Sequence, residues 1–232
     1  TMIEYLLELD RNITLSLNGS SSLYADGLMM AITSTITWIP VGLVLLYILL
    51  KNNNMNMPRF LLVFLMLALC VFISDQLSNL CKAFFERWRP ARDPYIMYLV
   101  DVVNDYRGGR FGFFSAHAAN TMSIAVFLSL LFRQKRMTFL LLSWTLLNGY
   151  SRIYLGVHYF GDVMVGFTVG VIVGYMLKLL YNKICRRLNF SPNGISSEYT
   201  SGGYLAKDVN LLASVLVSTY AVVAVVATFL VC

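Results

Sequence analysis

Six long apolar runs constrain this chain more than any other feature of its sequence. Each run is close to the length of about 20 residues that an α-helix needs to cross the hydrocarbon core of a bilayer. The runs span residues 28–50, 60–81, 116–132, 137–154, 162–177 and 209–231. The sequence therefore predicts an all-α integral membrane protein with six transmembrane helices, folded as one membrane domain over residues 1–232.

The composition agrees with a membrane environment. Apolar residues make up 58% of the 232 positions and charged residues only 13%, whereas soluble domains carry about 25% charged residues. Residues 28–181 are predicted to form a part with five helices, and this part contains the polar residues with catalytic potential. A polar segment, residues 191–208, predicts a linker to the last helix at residues 209–231. The four cysteines lack the spacing of a metal site or of a disulfide framework.

The first 19 residues form a segment of a different kind. Glu4, Glu8 and Asp10 stand where a signal peptide would carry basic residues, so the segment does not resemble a secretory signal. Its apolar residues recur at roughly helical spacing with charged residues opposite, which predicts an amphipathic helix on the membrane surface. A helix packed over the transmembrane bundle is an equal alternative.

The distribution of basic residues predicts the orientation in the membrane. Loops 51–59, 133–136 and 178–208 carry ten Lys and Arg residues against two acidic residues, Glu198 and Asp208. Because basic loops stay in the cytoplasm, this face is predicted to be cytoplasmic. The second and fourth spans end at the opposite, outer face, and the third and fifth spans begin there.

Polar residues with catalytic potential cluster at these outer ends. The chain has only two histidines, His117 and His158, and each lies at such an end. His158 and Asp162 are four residues apart, so the carboxylate can accept one ring N–H and leave the other nitrogen free as an acceptor or nucleophile. Ser115 is a natural N-cap of the third span. The amides of Ala116 and His117 that follow it predict an anion site.

Three basic residues accompany these groups. Lys82 and Arg89 come at the end of the second span, and Arg152 comes at the end of the fourth. Two histidines and an aspartate could bind zinc, but three cations would repel a metal ion. Guanidinium groups match the oxygens of a phosphate instead. The sequence therefore predicts a phosphate site with no metal ion and no cofactor.

The end of the second span also predicts a polar stripe, provided that the helix continues up to Pro90. Its members recur at the spacing of one helix face: Asp75, Asn79, Lys82, Glu86 and Arg89. The alternative is that these residues form ion pairs that only hold helices together.

Together these residues resemble the type 2 phosphatidic acid phosphatase (PAP2) family, the lipid phosphate phosphatases. The first family motif, K-x6-RP, is present as Lys82, Arg89 and Pro90. The third, SR-x5-H-x3-D, is present as Ser151, Arg152, His158 and Asp162. The second, PSGH, is FSAH here, with Phe114 and Ala116 in place of proline and glycine. The resemblance covers residues 82–162 and implies a core of six membrane helices.

The resemblance also implies a role for each residue. The phosphate is held by Lys82, Arg89, Arg152, the Ser115 hydroxyl and the Ala116 amide. His158 attacks phosphorus, and Asp162 orients the imidazole. His117 protonates the leaving oxygen and then activates water to hydrolyse the phosphohistidine. These steps need no metal, because side chains supply the positive charge.

The predicted function is hydrolysis of a lipid phosphomonoester or pyrophosphate at the outer membrane face. By resemblance, the candidate substrates are undecaprenyl pyrophosphate, phosphatidylglycerol phosphate, phosphatidic acid and lipid A phosphate. A lipid-to-lipid phosphotransferase would carry the same motifs, and a non-catalytic lipid-binding or transport protein is a further alternative. The expected partners are the lipid substrate and membrane lipids, with no nucleic acid and no obligatory protein partner. The expected location is a bacterial inner membrane, with the site facing the periplasm.

The loop at residues 91–112 is the predicted lid or selector of the site. It contains three arginines and three tyrosines: Arg92, Arg107, Arg110, Tyr95, Tyr98 and Tyr106. A glycine pair, Gly108 and Gly109, would allow the loop to move. A solvated loop with charges spread by chance is the alternative.

The predicted orientation can be tested by cysteine labelling in a variant that lacks the native cysteines. A single cysteine within residues 91–110 should react with an impermeant thiol reagent in intact spheroplasts, because this loop faces outward. A single cysteine at Gln134 should react only after the membrane is opened. The reverse labelling pattern would place the site on the cytoplasmic side.

Overall fold

The computed structural model describes residues 2–53, 56–190 and 196–229. Within these ranges the chain forms eight α-helices: α1 (Met2–Leu17), α2 (Leu23–Thr33), α3 (Ile39–Asn52), α4 (Met57–Phe85), α5 (Ala116–Phe132), α6 (Lys135–Tyr154), α7 (Phe160–Arg187) and α8 (Ala206–Val226). Short 3₁₀ turns lie at Thr35–Trp38, Pro90–Arg92 and Val103–Asp105. The described residues form no β-strand, so the predicted all-α fold is confirmed.

Four helical segments of the described chain are long and apolar enough to cross a membrane: Thr35–Asn52, α4, α7 and α8. They overlap four of the predicted spans. The predicted spans at 116–132 and 137–154 form α5 and α6, and α5 is apolar but has 17 residues. These helices support an integral membrane protein, and six crossings remain a prediction. Residues 230–231 of the last predicted span and 191–195 of the predicted linker lie outside the described residues.

The first predicted span is wrong as a single helix, because the chain breaks between α2 and α3. Two side chains between α2 and α3 donate hydrogen bonds to carbonyls near the end of α2. The Thr37 hydroxyl donates to the Ala31 carbonyl at 2.6 Å, and the Trp38 indole N–H donates to the Ile32 carbonyl at 2.9 Å. Pro40 then lies in the first turn of α3, where proline is tolerated because that turn's N–H groups have no helical partner.

The polar stripe predicted along the second span ends earlier than expected. Glu86 directly follows α4 and adopts the left-handed conformation, with φ of 44°. Asp75, Asn79 and Lys82 lie on the helix, whereas Arg89 is extended, with φ of −75° and ψ of 153°. Proline favours this extended conformation in the residue before it. Arg89 therefore reaches the site from a loop and not from the face of a helix.

Three glycines of α7 let α5 approach it closely. Gly166, Gly170 and Gly174 are four residues apart and face the backbone of α5. A Cβ atom added at Gly166 would lie 2.7 Å from the Ser115 carbonyl oxygen, and one at Gly170 would lie 2.6 Å from the Ala119 carbonyl oxygen. Small residues at this spacing are typical of closely packed membrane helices. This glycine stripe places the start of α5 beside the start of α7.

The last helix begins inside the predicted linker. α8 starts at Ala206 and not at residue 209, and Asp208 in its first turn is 4% exposed. The Asp208 carboxylate accepts hydrogen bonds from the Lys51 ammonium at 2.7 Å and from the Asn52 amide at 2.9 Å. A buried carboxylate needs such partners, and these two tie α8 to the end of α3.

The first helix has one packed face and one exposed apolar face. Thr14 is fully buried, and Asp10 forms an ion pair with Arg87 beyond α4. Ile3 and Leu6 are 70% and 55% exposed. The two alternatives from the sequence, a packed helix and a surface helix, therefore each describe one face of α1. Its position at a membrane interface remains a prediction.

Candidate active site

The end of α4, the start of α5, the end of α6 and the start of α7 meet at one end of the bundle. The backbone N–H of Ser115 donates to the Asp162 carbonyl at 3.0 Å, which joins the starts of α5 and α7. The N–H of His158 donates to the Arg152 carbonyl at 3.3 Å, which folds the turn after α6 back onto the helix. Arg87, which follows α4, donates to the Asp162 carboxylate at 2.8 Å. The fold thus gathers the polar groups of distant segments in one site.

His158 lies at the centre of this site and is 2% exposed. Its Nε2 lies 3.3 Å from Nη1 of Arg89, and its Nδ1 lies 3.6 Å from the Asp162 carboxylate. A guanidinium can only donate hydrogen bonds, so Nε2 is the acceptor and carries a lone pair. The ring proton of the neutral imidazole then lies on Nδ1, on the side of Asp162. This tautomer directs the lone pair of Nε2 toward Arg89.

The surroundings keep His158 uncharged. Burial, followed by the positive charges of Arg89, Arg152 and Lys82, holds the pKa of the His158 imidazole well below its usual range. Both effects disfavour the imidazolium, because a charge is costly in a buried place and beside like charges. The His158 imidazole is therefore uncharged at neutral pH.

Asp162 is fully buried and is fixed by two donors. One carboxylate oxygen accepts the backbone N–H of Tyr159 at 3.1 Å, and the other accepts Nη1 of Arg87 at 2.8 Å. The oxygen bonded to Tyr159 is also the one that faces Nδ1 of His158. The orientation of the carboxylate toward the imidazole is thus set from both sides.

Arg89 and Arg152 are positioned by uncharged acceptors. Arg89 donates to the carbonyls of Phe111 and Val157 at 3.1 Å and 3.0 Å. Arg152 is 3% exposed, and its two Nη atoms donate to the Thr33 hydroxyl at 2.5 Å and to the Tyr106 hydroxyl at 3.1 Å. Its Nε, which is also buried, has no hydrogen-bond partner among the described residues. These partners orient both guanidinium groups without neutralising them.

Lys82 and His117 lie in the same charged neighbourhood. Lys82 is half-buried near the end of α4, within electrostatic range of Arg89, Arg152 and Asp162. His117 lies in the first turn of α5, within electrostatic range of His158. The third cation and the second histidine predicted from the sequence are therefore both placed near the buried imidazole.

Ser115 begins α5 as predicted. Its hydroxyl oxygen accepts the N–H of Ala118 at 3.4 Å, and the hydroxyl keeps its own proton for donation. The N–H groups of Ala116 and His117 belong to the first turn, where a helix offers them no acceptor. Among the described residues, no three His, Cys, Asp or Glu side chains form a group that could hold a metal ion.

Two residues that contact the site were not predicted from the sequence. Arg87 lies in the spacer of the first motif, where any residue type is accepted. Thr33 is at the end of α2, and only the folded chain brings it to Arg152, 119 positions away. The glycine stripe of α7, in contrast, leaves a recognisable signal in the sequence, because glycine recurs every fourth residue in an apolar run.

Gly112 provides a test of how tightly the site is packed. A Cβ atom added there would lie 3.1 Å from Oδ2 of Asp162 and 3.2 Å from Cγ of Arg89. Gly112→Ala should therefore displace one of these side chains and lower kcat for an aryl phosphate by roughly tenfold to a hundredfold. Gly109→Ala is the matched control, since its Cβ would meet no described atom within 4 Å. Equal activity of the two variants would contradict this view of the site.

Comparisons with known proteins place the chain in a family. The family model described as the PAP2 superfamily matches residues 59–186, more than half of the chain. Lipid A 4'-phosphatase of Porphyromonas gingivalis is 38% identical over 180 residues, which cover 77% of this chain and 75% of that protein. Lipid A 4'-phosphatase of Bacteroides thetaiotaomicron is 37% identical over 189 residues, which cover 81% and 83%.

A solved structure has the same fold. The transmembrane PAP2 type phosphatidylglycerolphosphate phosphatase from Bacillus subtilis superimposes with a TM-score of 0.59 at 22% identity, over 78% of this chain and 88% of that one. The apolar helices, the matched family model and the two relatives agree with one another. The chain is an integral membrane phosphoric monoester hydrolase and belongs to the PAP2 superfamily.

Proposed function

We propose that this protein removes a phosphomonoester group from a lipid through a phosphohistidine intermediate on His158. The observation that carries the proposal is the position of this imidazole. It is buried and neutral, with its Nε2 toward Arg89 and its Nδ1 toward Asp162. A nucleophilic histidine needs this combination of a free lone pair and an oriented ring.

In the proposed mechanism, the substrate phosphate binds among the positive groups. Arg89, Arg152 and Lys82 bind its oxygens, together with the Ser115 hydroxyl and the Ala116 amide. Arg89 exchanges its contact with Nε2 for a phosphate oxygen, which frees the lone pair for attack. These donors stabilise the charge on the equatorial oxygens of the transition state. Because uncharged acceptors orient Arg89 and Arg152, their positive charges remain available to the phosphate.

The two histidines have different roles in this mechanism. His158 forms the N–P bond while the bond to the leaving lipid oxygen breaks, and Asp162 stabilises the positive charge on the ring. His117 gives its proton to the leaving oxygen. In the second step, His117 takes a proton from water, and the water oxygen attacks phosphorus. The N–P bond then breaks, which regenerates neutral His158 and releases inorganic phosphate.

The names of two relatives favour a lipid A phosphate as the substrate. Two relatives of 38% and 37% identity are named lipid A 4'-phosphatase. We therefore rank a lipid A phosphate first among the substrates that the resemblance implies. The basic loops on the opposite face support a site that faces the periplasm, where the phosphate of an outer-leaflet lipid can enter while its acyl chains stay in the bilayer. The exposed apolar face of α1 supports an interfacial position for that helix.

A panel of purified lipids tests this proposal. Lipid A, phosphatidylglycerol phosphate, phosphatidic acid and undecaprenyl pyrophosphate are presented in detergent micelles with EDTA. We expect phosphate release to be fastest from lipid A, to persist in EDTA and to be inhibited by vanadate, which mimics five-coordinate phosphorus. His158→Gln is the control and should release none.

Three outcomes would contradict parts of the proposal. Activity that EDTA abolishes and zinc or magnesium restores would reject the roles of the three cations. Phosphate that appears on an added acceptor lipid instead of in solution would favour the phosphotransferase alternative. A wild-type protein that binds lipid A but releases no phosphate from any lipid would favour the non-catalytic alternative.

A further inference from the structure

The first helix is linked to Asp162 of the active site through the carboxylate of Asp10 and the guanidinium of Arg87. Oδ2 of Asp10 in α1 accepts Nη2 of Arg87 at 2.6 Å, and Nη1 of the same guanidinium donates to Oδ1 of Asp162 at 2.8 Å. The Arg87 fork thus bridges two carboxylates, one from α1 and one from the start of α7. The side chains of Asp10, Arg87 and Asp162 are 15%, 21% and 0% exposed.

Arg87 is held in place by more than its two ion pairs. Its guanidinium lies 4.1 Å from the centre of the Tyr159 ring. The Tyr159 hydroxyl donates to the Asp93 carboxylate at 2.5 Å, and this carboxylate also accepts Arg11 of α1 at 3.3 Å. Two ion pairs therefore attach α1 to the loops around the site, and the flat face of Arg87 is stacked on the residue next to His158.

We propose that Asp10 and Arg87 are positioning residues for the reaction, because together they fix the carboxylate of Asp162 against His158. One oxygen of Asp162 accepts the Tyr159 N–H and lies 3.6 Å from Nδ1 of His158, so Arg87 at the other oxygen sets the rotation of the carboxylate plane. Asp10 in turn sets the position of Arg87. This proposal rests on the proposed function, since it takes His158 as the nucleophile and Asp162 as its partner.

α1 lies outside residues 59–186, the part of the chain that matches the family. The proposal therefore gives the N-terminal helix a part in the reaction that the motifs do not contain. A fork is required, because one lysine ammonium cannot present two parallel N–H groups to two carboxylates in the same geometry.

A purely structural role for Asp10 is the competing explanation. Oδ1 of Asp10 accepts the Gly161 N–H at 2.8 Å, and the Thr14 hydroxyl accepts the Phe160 N–H at 3.0 Å. Both bonds cap the start of α7, where N–H groups lack helical partners. Asparagine is as good a cap as aspartate but cannot form the ion pair with Arg87. Asp10→Asn therefore separates the two roles.

The experiment measures kcat, KM and the melting temperature for four variants of the full-length protein. We expect Asp10→Asn and Arg87→Lys to lower kcat roughly tenfold to a hundredfold, the usual effect of losing a group that orients a ligand or reactive side chain. KM should change by no more than about twofold, because neither residue binds the phosphate. Glu8→Gln, an exposed carboxylate on the same helix, is the matched control for charge. Thr14→Val removes the cap on the Phe160 N–H and the hydrogen bond that its hydroxyl donates to the Asp10 carbonyl, and it should lower the melting temperature.

A double variant shows whether Asp10 acts through Arg87. If it does, adding Asp10→Asn to Arg87→Gln should cost no further activity, because the fork is already lost. Multiplied losses in the double variant would instead mean that Asp10 acts by another route. An Asp10→Asn enzyme with the kcat of Glu8→Gln would likewise overturn the positioning role.

His158→Gln and Asp162→Asn, assayed alongside, distinguish failure of this inference from failure of the proposed function. If both are inactive while Asp10→Asn is fully active, only the inference is wrong. If His158→Gln retains wild-type activity, the proposed function is wrong and the inference falls with it.

Discussion

The close packing of α5 against α7 is the contact on which the arrangement of the site depends. The three glycines of the stripe in α7 carry no side chains that would hold the two helices apart. Gly166 faces the Ser115 carbonyl directly. The Ser115 N–H can then reach the Asp162 carbonyl at 3.0 Å. His117 is carried by the first turn of one helix, while His158 immediately precedes the other. Any side chain at the stripe would move these groups apart.

Charge is distributed unequally among the arginines of the site. Arg87 is neutralised by two carboxylates, whereas Arg89 and Arg152 are oriented by carbonyl and hydroxyl oxygens. Buried cations without carboxylate partners are costly, and a bound phosphate would supply the missing negative charge. Burial, together with the same cations, lowers the pKa of His158 and keeps the imidazole neutral. In the proposed mechanism, the concentrated positive charge serves both phosphate binding and the reactivity of His158.

The sequence predicts well what is local and poorly what joins distant segments. The all-α class and the start of α5 at Ser115 follow from apolar runs and from capping, which depend on neighbouring residues. The break in the first span depends on Thr37 and Trp38, whose side chains donate hydrogen bonds to carbonyls of α2. In the sequence these two residues are indistinguishable from the rest of the apolar run. The ion pair of Asp10 with Arg87 joins residues 77 positions apart, and neither residue is a defined position of a family motif. The roles of the site residues remain predictions.

Identification of the phosphorylated residue tests the central claim most directly. His117→Ala should still accept a phosphoryl group from p-nitrophenyl phosphate, since this leaving group needs little help from an acid, but should lack the base that releases it. The variant is mixed rapidly with this substrate, quenched without acid and analysed by peptide mass spectrometry. We predict phosphate on His158. A phosphorylated residue other than His158, or turnover of His117→Ala with no covalent adduct, would contradict the account.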